Sequence, residues 1–479
     1  MTLVQGRLPL RLKLIHGFGA VAFGVKDTGF QFFLLFFYSQ VLGMDPRLVS
    51  LALLVALLID AVIDPILGNL SDRTYTRWGR RLPWLYAAPI PLAFAWVWMW
   101  TPAGDAPPSF FELLAIAAGV RILLSACEVP SVSLLPEITS DYDERTTLFR
   151  YRYLSGWLGG ILMMTLAYAV FLPGENGLLN KDGYASFGMF GAILMVISVI
   201  GSAAGQHKLV ANLPDKKPPP FNIKTSFNEI IEAFRERAFL IFAAGGLAAY
   251  VSQGMSFSLS NYLIVYVWRL DTATIPFLPD GFTGTSVYPV ALFLSVILMF
   301  VIVTPMHKRF GKPKSAAISA IGAAILTLLP YGALLLGFWP PLDSANSVLL
   351  LIAFLTFGNA LGIVVLISAS SMIAEIVEAY LERTGKRSEG AFYSGNWLVQ
   401  KCATGLGIFL SGQFLFFVQL STNAVPGEVP QSVINNLILF YAAATISLML
   451  IAAYWLGRFP INREDHEARV TALNLTKAE

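Results

Sequence analysis

Apolar residues in this chain do not alternate with polar ones. They run in long blocks separated by short polar breaks, near 15–42, 48–70, 83–101, 110–138, 149–172, 185–206, 239–267, 286–306, 316–338, 347–374, 390–418 and 432–456. At a rise of about 1.5 Å per residue, roughly 20 residues cross a hydrocarbon core of about 30 Å. Each block is long enough, so the pattern predicts twelve transmembrane helices, an all-α membrane protein. The first block is too long for the apolar part of a signal peptide and reads as a span. Between the sixth and seventh blocks the chain turns polar, and Pro218, Pro219 and Pro220 cannot continue a helix. Beyond them Phe227, Ile230, Ile231 and Phe234 recur at helical intervals, predicting a short amphipathic helix at the membrane surface. The expected organisation is a six-helix bundle over 1–206, a linker over 207–238, a second six-helix bundle over 239–456 and a tail over 457–479.

Composition supports the membrane reading. The 479 residues are 56% hydrophobic and 13% charged, with a mean hydropathy of +0.64. Soluble domains carry about 25% charged residues. Disorder, a coiled coil and a nucleic-acid binder built on a basic surface are excluded, and the expected large partner is the lipid bilayer. The net charge of +3 is small, but its placement is informative. Alternate loops hold Arg73, Arg77, Arg80 and Arg81, then Arg145 and Arg150, then Lys208 to Arg237, then Lys308, Arg309, Lys312 and Lys314, then Arg383, Lys386 and Arg387. The intervening loops hold only Arg47, Lys181 and Arg269. The positive-inside rule therefore puts both termini in the cytoplasm.

Catalytic and cofactor chemistry finds no footing. Cys127 and Cys402 lie within apolar segments, and His16, His207, His307 and His466 are scattered singly. No G-x-x-x-x-G-K-[ST] loop and no H-E-x-x-H pattern occurs, which argues against an ATPase, an enzyme or an organic cofactor. Instead the halves echo each other. In Pro136–Thr146 and Ala374–Thr384, Glu137 matches Glu375, Tyr142 matches Tyr380, and Glu144-Arg145-Thr146 matches Glu382-Arg383-Thr384. Arg77-Trp-Gly-Arg80 has a weaker echo in Arg309-Phe-Gly-Lys312. Two similar halves point to a transporter working by alternating access, expected to act as a monomer.

Ionisable residues deep in a span are costly and mark function. They are Lys26, Asp27, Asp60, Asp64, Arg121, Glu128, Arg152 and Lys401. Asp60 and Asp64, four apart, share one helix face and repel unless a cation or proton sits between them. A small hard cation with oxygen ligands is the simplest occupant, with Na⁺ favoured over H⁺. Ser125 can add a hydroxyl, or simply bond back to its own helix. In the plainer alternative, Lys26, Arg121, Arg152 or Lys401 neutralises the pair for assembly alone. Arg121 reads as structural, nearer the outer end. Gly156, Gly159, Gly160, Gly405 and Gly407 can allow close helix approach. The Phe and Tyr of the first span read as lipid-facing surface.

These residues carry a resemblance. Asp60-Ala-Val-Ile-Asp-Pro-Ile-Leu-Gly68, Asp72-Arg-Thr-x-x-Arg-Trp-Gly-Arg80, Pro83-Trp84, Phe23-Gly24-x-Lys26-Asp27, Glu128-x-Pro130 and Gln400-Lys401 resemble the glycoside–pentoside–hexuronide:cation symporters of the major facilitator superfamily. The resemblance implies that fold and a bacterial inner-membrane location. It implies cation binding at Asp60, Asp64 and Ser125, and substrate binding at Lys26, Asp27, Glu128 and Arg152. It further implies coupling through Lys401 and a gating loop of Asp72, Arg73, Arg77, Gly79 and Arg80. Two departures stand out against the melibiose permease: Glu128 replaces an Asp, and Val132 replaces a sugar-stacking Trp. A glycoside is the first expectation for the cargo, moved with the coupling cation. A lysophospholipid or another organic anion is the alternative cargo. An uncoupled facilitator or a receptor is the alternative mechanism.

Overall fold

The computed structural model of the chain describes residues 7–211, 231–273, 275, 282–385 and 388–461, apart from 105, 140, 175 and 176. It is helical throughout, and among the described residues nine helices are long and apolar enough to cross a membrane. The first half contains α1 (Leu10–Val41), α2 (Pro46–Arg73), α3 (Pro89–Trp100), α4 (Phe110–Ser133), α5 (Tyr142–Leu166) and α6 (Lys181–Val210). The second half contains α7 (Arg237–Tyr262), α8 (Tyr288–Leu335), α9 (Ala345–Thr384), α10 (Glu389–Phe417) and α11 (Gln431–Gly457). α8 breaks at Gly311, whose φ of +74° favours glycine, and so carries both segments expected near 286–306 and 316–338. The third span starts in two pieces, Leu82–Ala87 and then α3.

Local signals set several helix ends. Asp45 caps α2 by accepting the Arg47 amide at 2.8 Å, with Pro46 in the first turn. α4 opens on a capping box between Ser109 and Glu112. α9 continues through the block read as a loop after 374 and stops at Gly385, φ +68°. Its extension is anchored, because Lys312 pairs with Glu375 at 2.8 Å and the Tyr380 hydroxyl donates to Glu232 at 2.6 Å. The predicted amphipathic linker helix lies mostly outside the described residues. Within them Phe234 meets Phe239 edge-on at 5.1 Å. The tail beyond 461 also lies outside them.

One expectation is overturned. Phe30, Phe33, Phe36, Phe37 and Tyr38 are no more than 1% exposed, so they do not face lipid. α1 is enclosed by α5, α6 and α7, and its rings pack into a cluster with Trp100, Tyr184 and Phe187. Helix contacts on all sides leave these aromatics no route to the hydrocarbon.

The glycines do allow close approach, and they do so alike in both halves. A Cβ on Gly24 would overlap the Gly156 carbonyl and reach Gly160 N at 2.6 Å, pressing α1 against α5. A Cβ on Gly407 would overlap the Val251 carbonyl, and one on Gly254 would reach the Thr404 carbonyl at 2.6 Å, pressing α10 against α7. The repeated Glu-Arg-Thr blocks hold matching places with opposite polarity. Glu144 pairs with Lys13 at the start of α1 at 2.8 Å, whereas Arg383 pairs with Glu236 at the start of α7.

Candidate functional site

The intramembrane charges converge where the halves meet. Asp60 lies in the middle of α2, one turn before Asp64 and Pro65. Proline at 65 has no amide hydrogen, so the Ala61 carbonyl loses its intrahelical donor beside the carboxylates. Lys401 crosses from α10 and bridges the pair, its Nζ 2.9 Å from Asp60 Oδ2 and 2.5 Å from Asp64 Oδ2. Ser125 donates to Asp60 Oδ1 at 2.7 Å and does not turn back to its own helix. Arg121 donates to Asp60 Oδ2 at 3.3 Å and stacks over Phe30 at 4.3 Å. Arg121 therefore lies directly against the carboxylate pair. The signal was present: Arg121 and Ser125 are four apart and share a face of α4.

The second group lies alongside. Lys26 and Asp27 pair at 2.7 Å, and the Asp27 side chain is half exposed. Arg152 donates to Ser131 at 2.6 Å and faces the Phe23 ring. Glu128 is the common neighbour, within electrostatic reach of Lys26, Lys401, Asp27, Asp64 and Arg152. Tyr153 is near both Glu128 and Tyr250, linking this group to the second half. There a cavity of about 110 Å³ is lined by Trp157, Ser252, Gln253, Ser256, Asn359 and Tyr441 among largely apolar side chains. The Ser252 hydroxyl is buried without a partner among the described residues.

One end of the molecule is sealed across the halves. Ser39 bonds Tyr262, Tyr168 donates to Asn261 at 2.7 Å, and Asn261 donates to the Phe32 carbonyl at 2.8 Å. Gln40 accepts from Tyr266 and from the Ala424 amide. At the opposite end, where α1 begins, the ion pairs among the described residues stay within a half. In the loop after α2, Arg81 pairs with Asp72, donates to Ser71 at 2.5 Å and faces Glu137 at 3.6 Å. Arg81 thus ties the loop to the short helix Leu135–Ile138 that follows α4, and Arg80 is also within electrostatic reach of Glu137. Gly79 turns the loop with φ +88°, Arg73 donates to Asn69 at 2.7 Å, and Arg77 lies over Trp78.

Long helices around a charged internal site define an integral membrane transporter with the major facilitator fold, not an enzyme. The model of the MFS/sugar transport protein family matches residues 15–463, so the chain belongs to that family, in keeping with its resemblance to the glycoside–pentoside–hexuronide:cation symporters. It is 26% identical to an uncharacterized symporter of Synechocystis, covering 96% of each chain, and 26% identical to an isoprimeverose transporter of Lactiplantibacillus pentosus, covering 80% of this chain and 75% of that one. It is 22% identical to a raffinose carrier protein of Pediococcus pentosaceus, covering 97% of this chain and 71% of the relative. Among solved structures, an inward-open xylose transporter of E. coli superposes with a TM-score of 0.59 at 15% identity, covering 95% of this chain and 98% of that one. A nucleoside transporter superposes with 0.59 at 17%, covering 95% and 99%. At such identities the likeness is one of fold.

Proposed function

We propose that the protein is a cation-coupled symporter that carries a glycoside through a bacterial plasma membrane, with both termini in the cytoplasm. The observation that carries this reading is the bridge from Lys401 in one half to Asp60 and Asp64 in the other, beside the Lys26, Asp27, Glu128 and Arg152 group. Carboxylates there accept from sugar hydroxyls, and the guanidinium and amine donate to them or hold an acidic substituent. The relatives that carry isoprimeverose and raffinose support a sugar cargo. Na⁺ is the favoured ion, since two carboxylates and a hydroxyl supply oxygen ligands, and H⁺ is the alternative.

The two halves then alternate around the site. The sealed end closes the outside, and the charged group opens toward the face where α1 begins. Val132 offers no stacking ring, and the aromatics at the cavity are Trp157, Phe257, Trp268, Tyr288, Tyr331 and Tyr441. A second cargo, a lysophospholipid or similar amphiphile, is favoured by one feature, the largely apolar lining of that cavity. Purified protein in sealed liposomes tests the reading. Glycoside accumulation against its gradient, driven by Na⁺, is expected. Downhill movement unaffected by any ion gradient would mark a facilitator, and uptake of lysophospholipid alone would overturn the sugar assignment.

A further inference from the structure

We propose that Arg121 is a resident counter-cation that holds down the affinity of the coupling-ion site, so that the ion enters only when Lys401 leaves. The proposal rests on the cation-coupled reading above and adds to it a residue that sets ion affinity.

The charge inventory comes first. Asp27, Asp60, Asp64 and Glu128 are faced by Lys26, Arg121, Arg152 and Lys401, so the internal site is formally neutral before any ion arrives. Asp60 already accepts from three donors. Its side chain is 5% exposed, Oδ1 accepts from Ser125, and Oδ2 accepts from both Arg121 and Lys401. Asp64 Oδ2 is taken by Lys401, which leaves Asp64 Oδ1 as a buried carboxylate oxygen without a donor among the described residues. A single free oxygen cannot replace the hydration shell of a hard cation, which needs several. An added positive charge would also meet two cations at close range in a poorly screened interior. One resident cation must therefore give way.

Structure indicates which. Arg121 is held at both sides of its guanidinium, by Asp60 and by the Phe30 ring at 4.3 Å, and only 5% of its side chain is exposed. Its withdrawal would break the Asp60 bond and the Phe30 contact together. Lys401 reaches in from the opposite half on a flexible stem and is 24% exposed. When Lys401 departs, Asp60, Asp64 and Arg121 together carry one negative charge, matched by a single monovalent ion. The freed amine remains near Glu128, where cargo would bind. Without Arg121 the same oxygens would carry an extra negative charge and an open lone pair on Asp60 Oδ2. Ion affinity should then rise, and Lys401 need not leave.

The test is Na⁺ binding, not transport. Purified wild type, Arg121→Met, Arg121→Gln and Arg121→Lys in nanodiscs are titrated with NaCl against choline chloride at constant ionic strength, following thermal stability and tryptophan fluorescence. Removing one close like charge should lower the half-saturating Na⁺ concentration by about tenfold or more in Arg121→Met. Arg121→Gln, a near-isosteric neutral variant, should respond in the same direction and serves if the Met variant does not fold. Arg121→Lys should stay close to wild type. Na⁺ binding that is unchanged or weaker in both neutral variants, or absent from all of them, would overturn the proposal and leave Arg121 as a residue that only orients Asp60. Uphill glycoside uptake by the wild type, measured separately in liposomes, keeps a failure of this proposal distinct from a failure of the symport reading.

Discussion

At the residue scale, the central fact is that an amine occupies the place between two carboxylates. Lys401→Met would leave Asp60 with Arg121 and Ser125 but strip Asp64 of its partner. Breaking one side of a buried pair strands a charge, at a cost on the order of 3 kcal/mol. The variant should melt at a lower temperature in Na⁺-free buffer and recover part of the loss when Na⁺ is added, because an ion bound only to the folded state stabilises it. A drop in stability that Na⁺ does not relieve would count against ion binding at this pair. Asp64→Asn acts in the opposite sense. It keeps the shape, removes the charge and should abolish accumulation of cargo while leaving the protein folded, as read by liposome uptake beside a melting curve. The identities of these residues were legible in the sequence, because charge within a span is rare. Their pairing was legible only where the family resemblance singled out Lys401, since Lys401 and Asp64 are 337 residues apart. Nothing in local spacing says which of four bases will answer which of four acids.

At the element scale, small residues decide how closely the helices run, and they do so at equivalent places in the two halves. Gly24 against Gly156 and Gly160 joins α1 to α5, and Gly407 against Val251 and Met255 joins α10 to α7. A side chain at either place meets backbone, which cannot move aside as a flexible side chain can. Gly24→Leu and Gly407→Leu should each cost about 1–3 kcal/mol by overpacking. Gly104→Leu at an open loop should be milder on packing grounds, although its φ of +86° adds strain. Thermal melts of the three variants in one detergent check the order. The glycine contacts followed from sequence because small residues on a span have few other uses. The burial of the first-span aromatics did not. An apolar ring suits lipid and protein interior equally, and only the surrounding helices decide between them.

At the scale of the whole molecule, the seal between α1 and α7 is built from hydrogen bonds that must break when the protein opens the other way. Asn261 accepts from Tyr168 and donates to the Phe32 carbonyl, so its loss removes two cross-half bonds at once. A net hydrogen bond contributes about 1 kcal/mol, and about 1.4 kcal/mol is a tenfold change in an equilibrium constant. Asn261→Ala should therefore shift the balance toward the outward-opening form by about tenfold or more, provided the stranded partners find water. A cysteine at Tyr153, which is 65% exposed beside the charged group, reports the shift. In a background lacking Cys127 and Cys402, it should react with a membrane-impermeant maleimide in inside-out vesicles and little in right-side-out ones. Adding Asn261→Ala should slow the first reaction and speed the second. The same vesicles test the orientation drawn from the basic loops, because cysteines in 139–147 should label only from the cytoplasmic side. If position 153 labels equally in both vesicle types whatever residue stands at 261, the bonds between α1 and α7 do not govern access. The switch between conformations would then have to be sought at the ion pairs of the opposite end.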